Sequence, residues 1–139
     1  MQIDSKRLKS TLLELSRIGF NETDNGIYRL GFTTADMAAR NWLIDILEDE
    51  GFAPHIDGAG NVYGRYGPKT GPTVTIGSHL DSVPAGGIFD GSLGVIAGLE
   101  TLRVCKSEGI ALKYPVELVA TSEEEGRFGG MLGAQAIAG

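Results

Sequence analysis

Cysteine is nearly absent from this chain. Cys105 is the only one in 139 residues, so neither a disulfide framework nor a cysteine-type metal site can form. With Leu102, Val104 and Lys106 around it on a predicted helix, Cys105 reads as a small buried hydrophobe rather than a reactive thiol. Histidine is almost as scarce, with only His55 and His79. Lys and Arg together number 12 against 18 Asp and Glu, and the net charge of −6 excludes the basic face that a nucleic-acid partner requires. No apolar run approaches the roughly 18 residues of a membrane span. Met1 to Lys6 lacks the apolar segment and cleavage site of a signal peptide, which predicts a cytoplasmic chain with no membrane partner. Gly67-Pro68-Lys69-Thr70 has the wrong order for a phosphate-binding loop, and no Gly-x-Ser-x-Gly elbow points to covalent catalysis. Internal repeats and low-complexity linkers are missing too.

What remains is ordinary for one globular domain: 42% hydrophobic residues and 22% charged. Leu8, Leu12, Leu15 and Ile18 share one face of a predicted helix over residues 5–18. A polar stretch, 19–33, follows, with Asn25-Gly26 as a turn signal. Thr33-x-x-Asp36 resembles a capping box and opens a helix through Ala39, Leu43, Ile46 and Leu47, which Gly51 ends. Three β-like runs come next: 61–66, 73–77 and 116–121. Between the last two lies an apolar helix, about Leu93 to Lys106. Strand, helix, strand is a βαβ unit and predicts parallel neighbours in an α/β sheet. The residues just past those two strands would then meet at the carboxyl edge of the sheet, where such sheets bind ligands.

Those residues carry the chemistry. Gly77 to Gly91 contains His79, Asp81 and Asp90, and Glu123-Glu124-Glu125-Gly126 follows the last strand. One imidazole among several carboxylates suits a divalent cation of the zinc, manganese or cobalt type. Adjacent glutamates offer one carboxylate to hold metal and another to move protons. His79 and Asp81, two apart on an extended segment, point the same way, so the imidazole can bind metal through one nitrogen while Asp81 accepts a hydrogen bond from the other. Asp90 alone could be a turn residue or helix cap. A run of glutamates is usually a solvated patch, but this one directly follows an apolar strand and is closed by glycine. The glycines, 21 in all, concentrate around these segments. His55, far from both, reads as a surface residue.

HLDSVPAGGIFDG and EEEGRFGGMLGAQAIAG resemble the metal-binding segments of the M20-type metallopeptidase superfamily. The branch is the amidase/carbamoylase one, with N-carbamoyl-L-amino-acid hydrolases, β-ureidopropionases and allantoate amidohydrolases. TTADMAARNWLIDILEDEGFAPHIDGAGNVYGRYGP and IGFNETDNGIYRLGFT are similar to the same branch, so the likeness covers nearly the whole chain. It implies an α/β fold: residues 1–139 as the N-terminal part of a three-layer, phosphorylase/hydrolase-like catalytic domain with a mostly parallel central sheet. That family's members are much longer, and their inserted dimerisation domain and C-terminal remainder are absent here. It implies two divalent ions (zinc, manganese, cobalt or nickel), with His79, Asp90 and Glu125 as metal ligands and Asp90 bridging the pair. Glu124 becomes the general base, Asp81 the partner of His79, and Glu123 falls outside the pair, exposed or behind the ligands. The resemblance further implies a cis peptide at Asp90–Gly91, a 19–33 loop close to the site, a homodimer, and hydrolysis of a linear ureido or carbamoyl compound. Two further histidine ligands come from downstream segments in that family, and this sequence has no residues to match them. A non-catalytic fragment is therefore the rival reading.

Overall fold

A computed structural model describes residues 2–139. The elements are α1 (Ser5–Leu15), β1 (Phe20–Asn21), β2 (Gly26–Ile27), α2 (Thr34–Asp49), β3 (His55–Ile56), β4 (Val62–Tyr66), β5 (Val74–His79), α3 (Ser92–Ser107), β6 (Val116–Thr121) and α4 (Leu132–Ala138). The Asp4 carboxylate starts α1 by accepting from the Lys6 and Arg7 amides. The Thr33 hydroxyl starts α2 by accepting from the Asp36 amide, while the Asp36 carboxylate reaches back to the Phe32 N–H. The reciprocal bond thus lands one residue earlier than a capping box places it.

The main sheet runs β3-β4-β6-β5. β5 and β6 are parallel, in register from Val74↔Val116 to His79↔Thr121, as the βαβ reading requires. The sheet as a whole is mixed, because β3–β4 and β4–β6 are antiparallel. For β3–β4 the reason is local: Gly58 to Gly60 make a tight turn, and only antiparallel strands can be joined that closely. The two-residue strands β1 and β2 form a separate hairpin, with Asn25 in the left-handed conformation at its turn.

α2 and α3 lie on the same face of the sheet. Gly64 sits opposite Leu118, and a Cβ on Gly64 would run into Leu47 of α2 while Leu118 packs under Gly98 of α3. Two of the three expected layers are therefore present among the described residues. Between them Leu43 and Leu47 of α2, Val95, Ile96, Leu99 and Leu102 of α3, and Leu118 and Ala120 of β6 are sealed from water. Each such aliphatic side chain contributes roughly 1.5–3 kcal/mol of burial. The opposite face carries Tyr63, Arg65 and Glu117, none of them fully buried, and the buried Val119. Cys105 is buried on α3, as its neighbours predict. His55 is exposed on β3 and stacks on Tyr63. Among the described residues, no helix is long and apolar enough to cross a membrane.

Candidate metal centre

Because β5 and β6 end side by side at His79 and Thr121, the residues after them emerge together. The Asp81 carboxylate accepts from the Glu125 amide at 3.0 Å and so ties the two strand ends to each other. His79 is buried, and its Nδ1 lies 3.0 Å from the Asp81 main-chain carbonyl and 3.6 Å from an Asp81 carboxylate oxygen. A carbonyl can only accept, so in the neutral ring Nδ1 holds the proton and Nε2 keeps its lone pair free. Nε2 faces Glu124 Oε2 at 3.5 Å and Asp90 Oδ1 at 3.9 Å. One ligand atom from each of His79, Glu124 and Glu125 lies within 4.8 Å of the others. A lone pair and two carboxylates turned toward one point repel unless a proton or a cation stands between them. Asp81 Oδ1 is buried with no hydrogen-bond partner, and its facing group is His79 Nδ1 at 3.6 Å. This nitrogen and oxygen donor set fits a divalent cation.

One expectation changes here, the cis peptide. The resemblance groups His79 with Asp90 and Glu125; the closest trio of ligand atoms is that of His79, Glu124 and Glu125, and Asp90 Oδ1 lies 3.9 Å from Nε2. The Asp90 side chain is 80% exposed, which spares a third carboxylate from close approach to the other two. Asp90–Gly91 is trans; Gly91 turns the chain instead, with φ 62° and ψ −57°. Glu123 is only 1% exposed, and its carboxylate accepts from the Phe128 and Gly130 amides.

Gly91 is where the site is least tolerant. A Cβ there would lie 2.5 Å from His79 ring atoms, at a φ that side chains rarely adopt. Gly91→Ala should lower stability by about 1–3 kcal/mol, as overpacking does, and push the imidazole off Asp81. Urea unfolding and metal titration check this; a variant that matches the native chain in both would show the contact to be slack.

Burial pulls the His79 imidazole down, but Asp81 and Glu124 outweigh it and the net shift is upward. Protonated His79 therefore stabilises the fold below its unfolded value near 6.5, and that contribution fades as pH rises through the folded value. Asp81 works the other way: burial raises it, His79 and the Glu125 and Glu124 amides lower it more, and its support is lost as pH falls through the folded value. Glu125 is pushed up, first by burial and then by Asp90, Glu124 and Asp81, with His79 opposing. In EDTA, the thermal midpoint of the native chain should exceed that of His79→Gln by more at about pH 5.5 than at about pH 8.5. An equal or inverted difference would contradict the assigned partners.

Sequence reasoning missed Arg29. Its guanidinium is 1% exposed and donates to the carbonyls of Leu15, Ile18 and Leu80 and to the Ser92 hydroxyl. Burial lowers it to about 10, against the pull of Asp36 and Asp81. It thus joins the end of α1, the His79–Asp81 segment and the start of α3. An arginine in a polar stretch reads as solvated; the one hint was the alternation with Ile27, itself fully buried. The 19–33 loop reaches both motifs: Ile27 bridges Gly86, and Arg127 donates to the Gly31 carbonyl. A cavity of about 160 Å³ opens beside Glu125, between Leu30, Val83, Pro84 and Arg127. A larger hollow of about 610 Å³, around Arg65, Tyr66 and Lys69, contains none of these residues.

The family model described as peptidase family M28 matches residues 61–139, more than half the chain and both motifs. An N-carbamoyl-L-amino acid amidohydrolase of Geobacillus stearothermophilus is 40% identical over 99% of this chain and 34% of its own length. An allantoate deiminase of Arabidopsis thaliana is 45% identical over 72% of this chain and 19% of its own. A crystal structure of a hydantoinase/carbamoylase family amidase from Burkholderia ambifaria superposes with a TM-score of 0.90 at 37% identity, over 96% of this chain and 34% of that one. The chain spans about a third of the length of the curated amidohydrolases it matches. The amidase/carbamoylase likeness of the motifs is thus what the relatives carry, and the matching family model is M28. With matches at this level to sequence and fold alike, the chain belongs to peptidase family M28, among relatives that hydrolyse carbon–nitrogen bonds other than peptide bonds.

Proposed function

We propose that residues 1–139 form the N-terminal part of the catalytic domain of a cytoplasmic, metal-dependent hydrolase of linear ureido bonds, with N-carbamoyl-L-amino acids as substrates. The observation that carries this reading is the convergence of His79, Glu124 and Glu125 at the carboxyl ends of the parallel pair β5–β6. Two divalent cations, of zinc, manganese, cobalt or nickel, would be held by His79, Asp90 and Glu125 together with residues from outside this segment. When bound, such ions acidify water and polarise a carbonyl. The protein supplies the rest. Asp81 holds His79 in the tautomer that leaves Nε2 free, and its carboxylate keeps Glu125 beside it by accepting a hydrogen bond from the Glu125 amide. Glu124, half-exposed beside His79, takes the proton from the attacking water and returns it to the leaving nitrogen. For an N-carbamoyl amino acid the products are the amino acid, ammonia and carbon dioxide. A homodimer completes the expected assembly.

Allantoate is the second reading, favoured by the 45% identity to the Arabidopsis allantoate deiminase. A full-length protein carrying this segment, assayed for ammonia release from N-carbamoyl-L-amino acids, allantoate, N-carbamoyl-β-alanine and dipeptides with each metal, decides between them. Turnover of dipeptides alone would overturn the ureido assignment.

A further inference from the structure

We infer that Glu123 is a positioning residue: its buried carboxylate clamps the loop that aims Glu124 and Glu125 at His79. The inference rests on the metal-site reading above and adds a residue that reading leaves idle. It starts from the backbone. β6 ends at Thr121, and Ser122 is pinned, its amide donating to the Asn61 side chain at 2.9 Å and its hydroxyl to the Ala59 carbonyl at 2.7 Å. The next residue, Glu123, has φ 52°, a left-handed conformation that a side-chain-bearing residue seldom adopts. That turn sends the Glu123 side chain inward while Glu124 and Glu125 stay half-exposed at the site.

Inside, each Glu123 carboxylate oxygen takes one amide: Oε1 from Phe128 at 2.7 Å and Oε2 from Gly130 at 3.0 Å. The loop's far end is thereby fastened to its own start, and the Met131 amide closes on the Glu124 carbonyl at 3.1 Å. Space for the carboxylate comes from Gly31, where a Cβ would meet Glu123 Cγ at 2.8 Å. Arg127 locks the same two loops together from outside, donating to the Gly31 carbonyl at 2.8 Å. A carboxylate is the fitting group because it alone offers two equivalent acceptors to two amides at once. Glutamine keeps size and one acceptor, and alanine keeps neither. Three successive glutamates thus divide the work, the first holding the loop and the next two facing the imidazole.

The test uses the 139-residue chain as native, Glu123→Ala, Glu123→Gln and Glu125→Ala proteins. It compares thermal midpoints, Mn²⁺ titration and hydrogen exchange resolved at single amides. Removing a group that orients metal ligands typically costs 10–100-fold in affinity, and that loss is expected for Glu123→Ala, with Glu123→Gln falling between it and the native chain. Exchange at Phe128 and Gly130 should accelerate in Glu123→Ala, with the acceleration confined to residues 124–131. If the alanine variant does not fold, the glutamine variant carries the same comparison. Unchanged exchange at those two amides, or acceleration spread evenly over the chain, overturns the inference. So does native-like Mn²⁺ affinity in the Glu123 variants when Glu125→Ala has lost it. Equally poor Mn²⁺ binding by the native and Glu125→Ala chains would mean that ligands from outside this segment are needed for metal, and the pattern of amide exchange alone then decides the role of Glu123.

Discussion

Replacing Glu124 with glutamine in a full-length hydrolase carrying this segment should lower turnover about 10²–10⁴-fold, the usual worth of a positioned general base, with bound metal nearly unchanged. The amide keeps the size of the side chain and one acceptor but cannot take a proton. Its placement suits the role, half-exposed to an incoming water yet 3.5 Å from the imidazole of the proposed metal position. Asp90→Ala should behave oppositely and lose metal, as the proposed ligand assignment requires. The pair of variants is informative because geometry and resemblance divide the carboxylates differently. The structure puts Glu124 in the tight trio with His79 and Glu125 and leaves Asp90 exposed, 3.9 Å from Nε2. Elemental analysis after dialysis separates the alternatives. Metal loss in Glu124→Gln with retention in Asp90→Ala would make Glu124 a ligand and move the base elsewhere.

The parts of this architecture that were legible in the sequence are those set by local periodicity and punctuation. The helix from Thr34, its Thr33 cap, the βαβ unit around α3 and the strand from Val116 to Thr121 follow from apolar spacing and from glycine or threonine at the ends. Adjacent strand ends then bring His79 near Glu124 and Glu125 without further information. What sequence could not show depends on partners far along the chain. Arg29 reads as solvated until α1, the His79–Asp81 segment and Ser92 are seen to surround it. Glu123 looks like its two neighbours until its positive φ turns it the other way. The mixed sheet was hidden because β6 inserts between β4 and β5, two strands joined by a short link but not paired with each other. The same distance effect explains Asp90, whose position follows from the turn at Gly91 and from the like charges already facing His79.

The 139-residue chain by itself should release no measurable ammonia from N-carbamoyl amino acids, even with manganese or zinc added. His55 and His79 are its only histidines, and His55 is exposed on β3, away from both motifs. That leaves one imidazole and the carboxylates of Asp90, Glu124 and Glu125 to serve the two ions proposed above, with one of those carboxylates needed as the base. Catalytic zinc ordinarily has three protein ligands, so each ion here would be held loosely and its geometry left unfixed. Substrate placement suffers as well. A cavity adjoining Glu125 measures about 160 Å³ and offers a single guanidinium, Arg127, that is already engaged with Gly31. Orienting the reacting groups can supply roughly 7–11 kcal/mol of a barrier, and little of that is available from one shallow wall. β5 also ends the sheet with an open edge, Val74 and Thr75 exposed, which favours self-association in the isolated chain. Ammonia release measured on the purified chain, with Glu124→Gln as the blank, checks the expectation. Metal-dependent turnover that disappears in the Glu124 variant would mean that these residues suffice for catalysis.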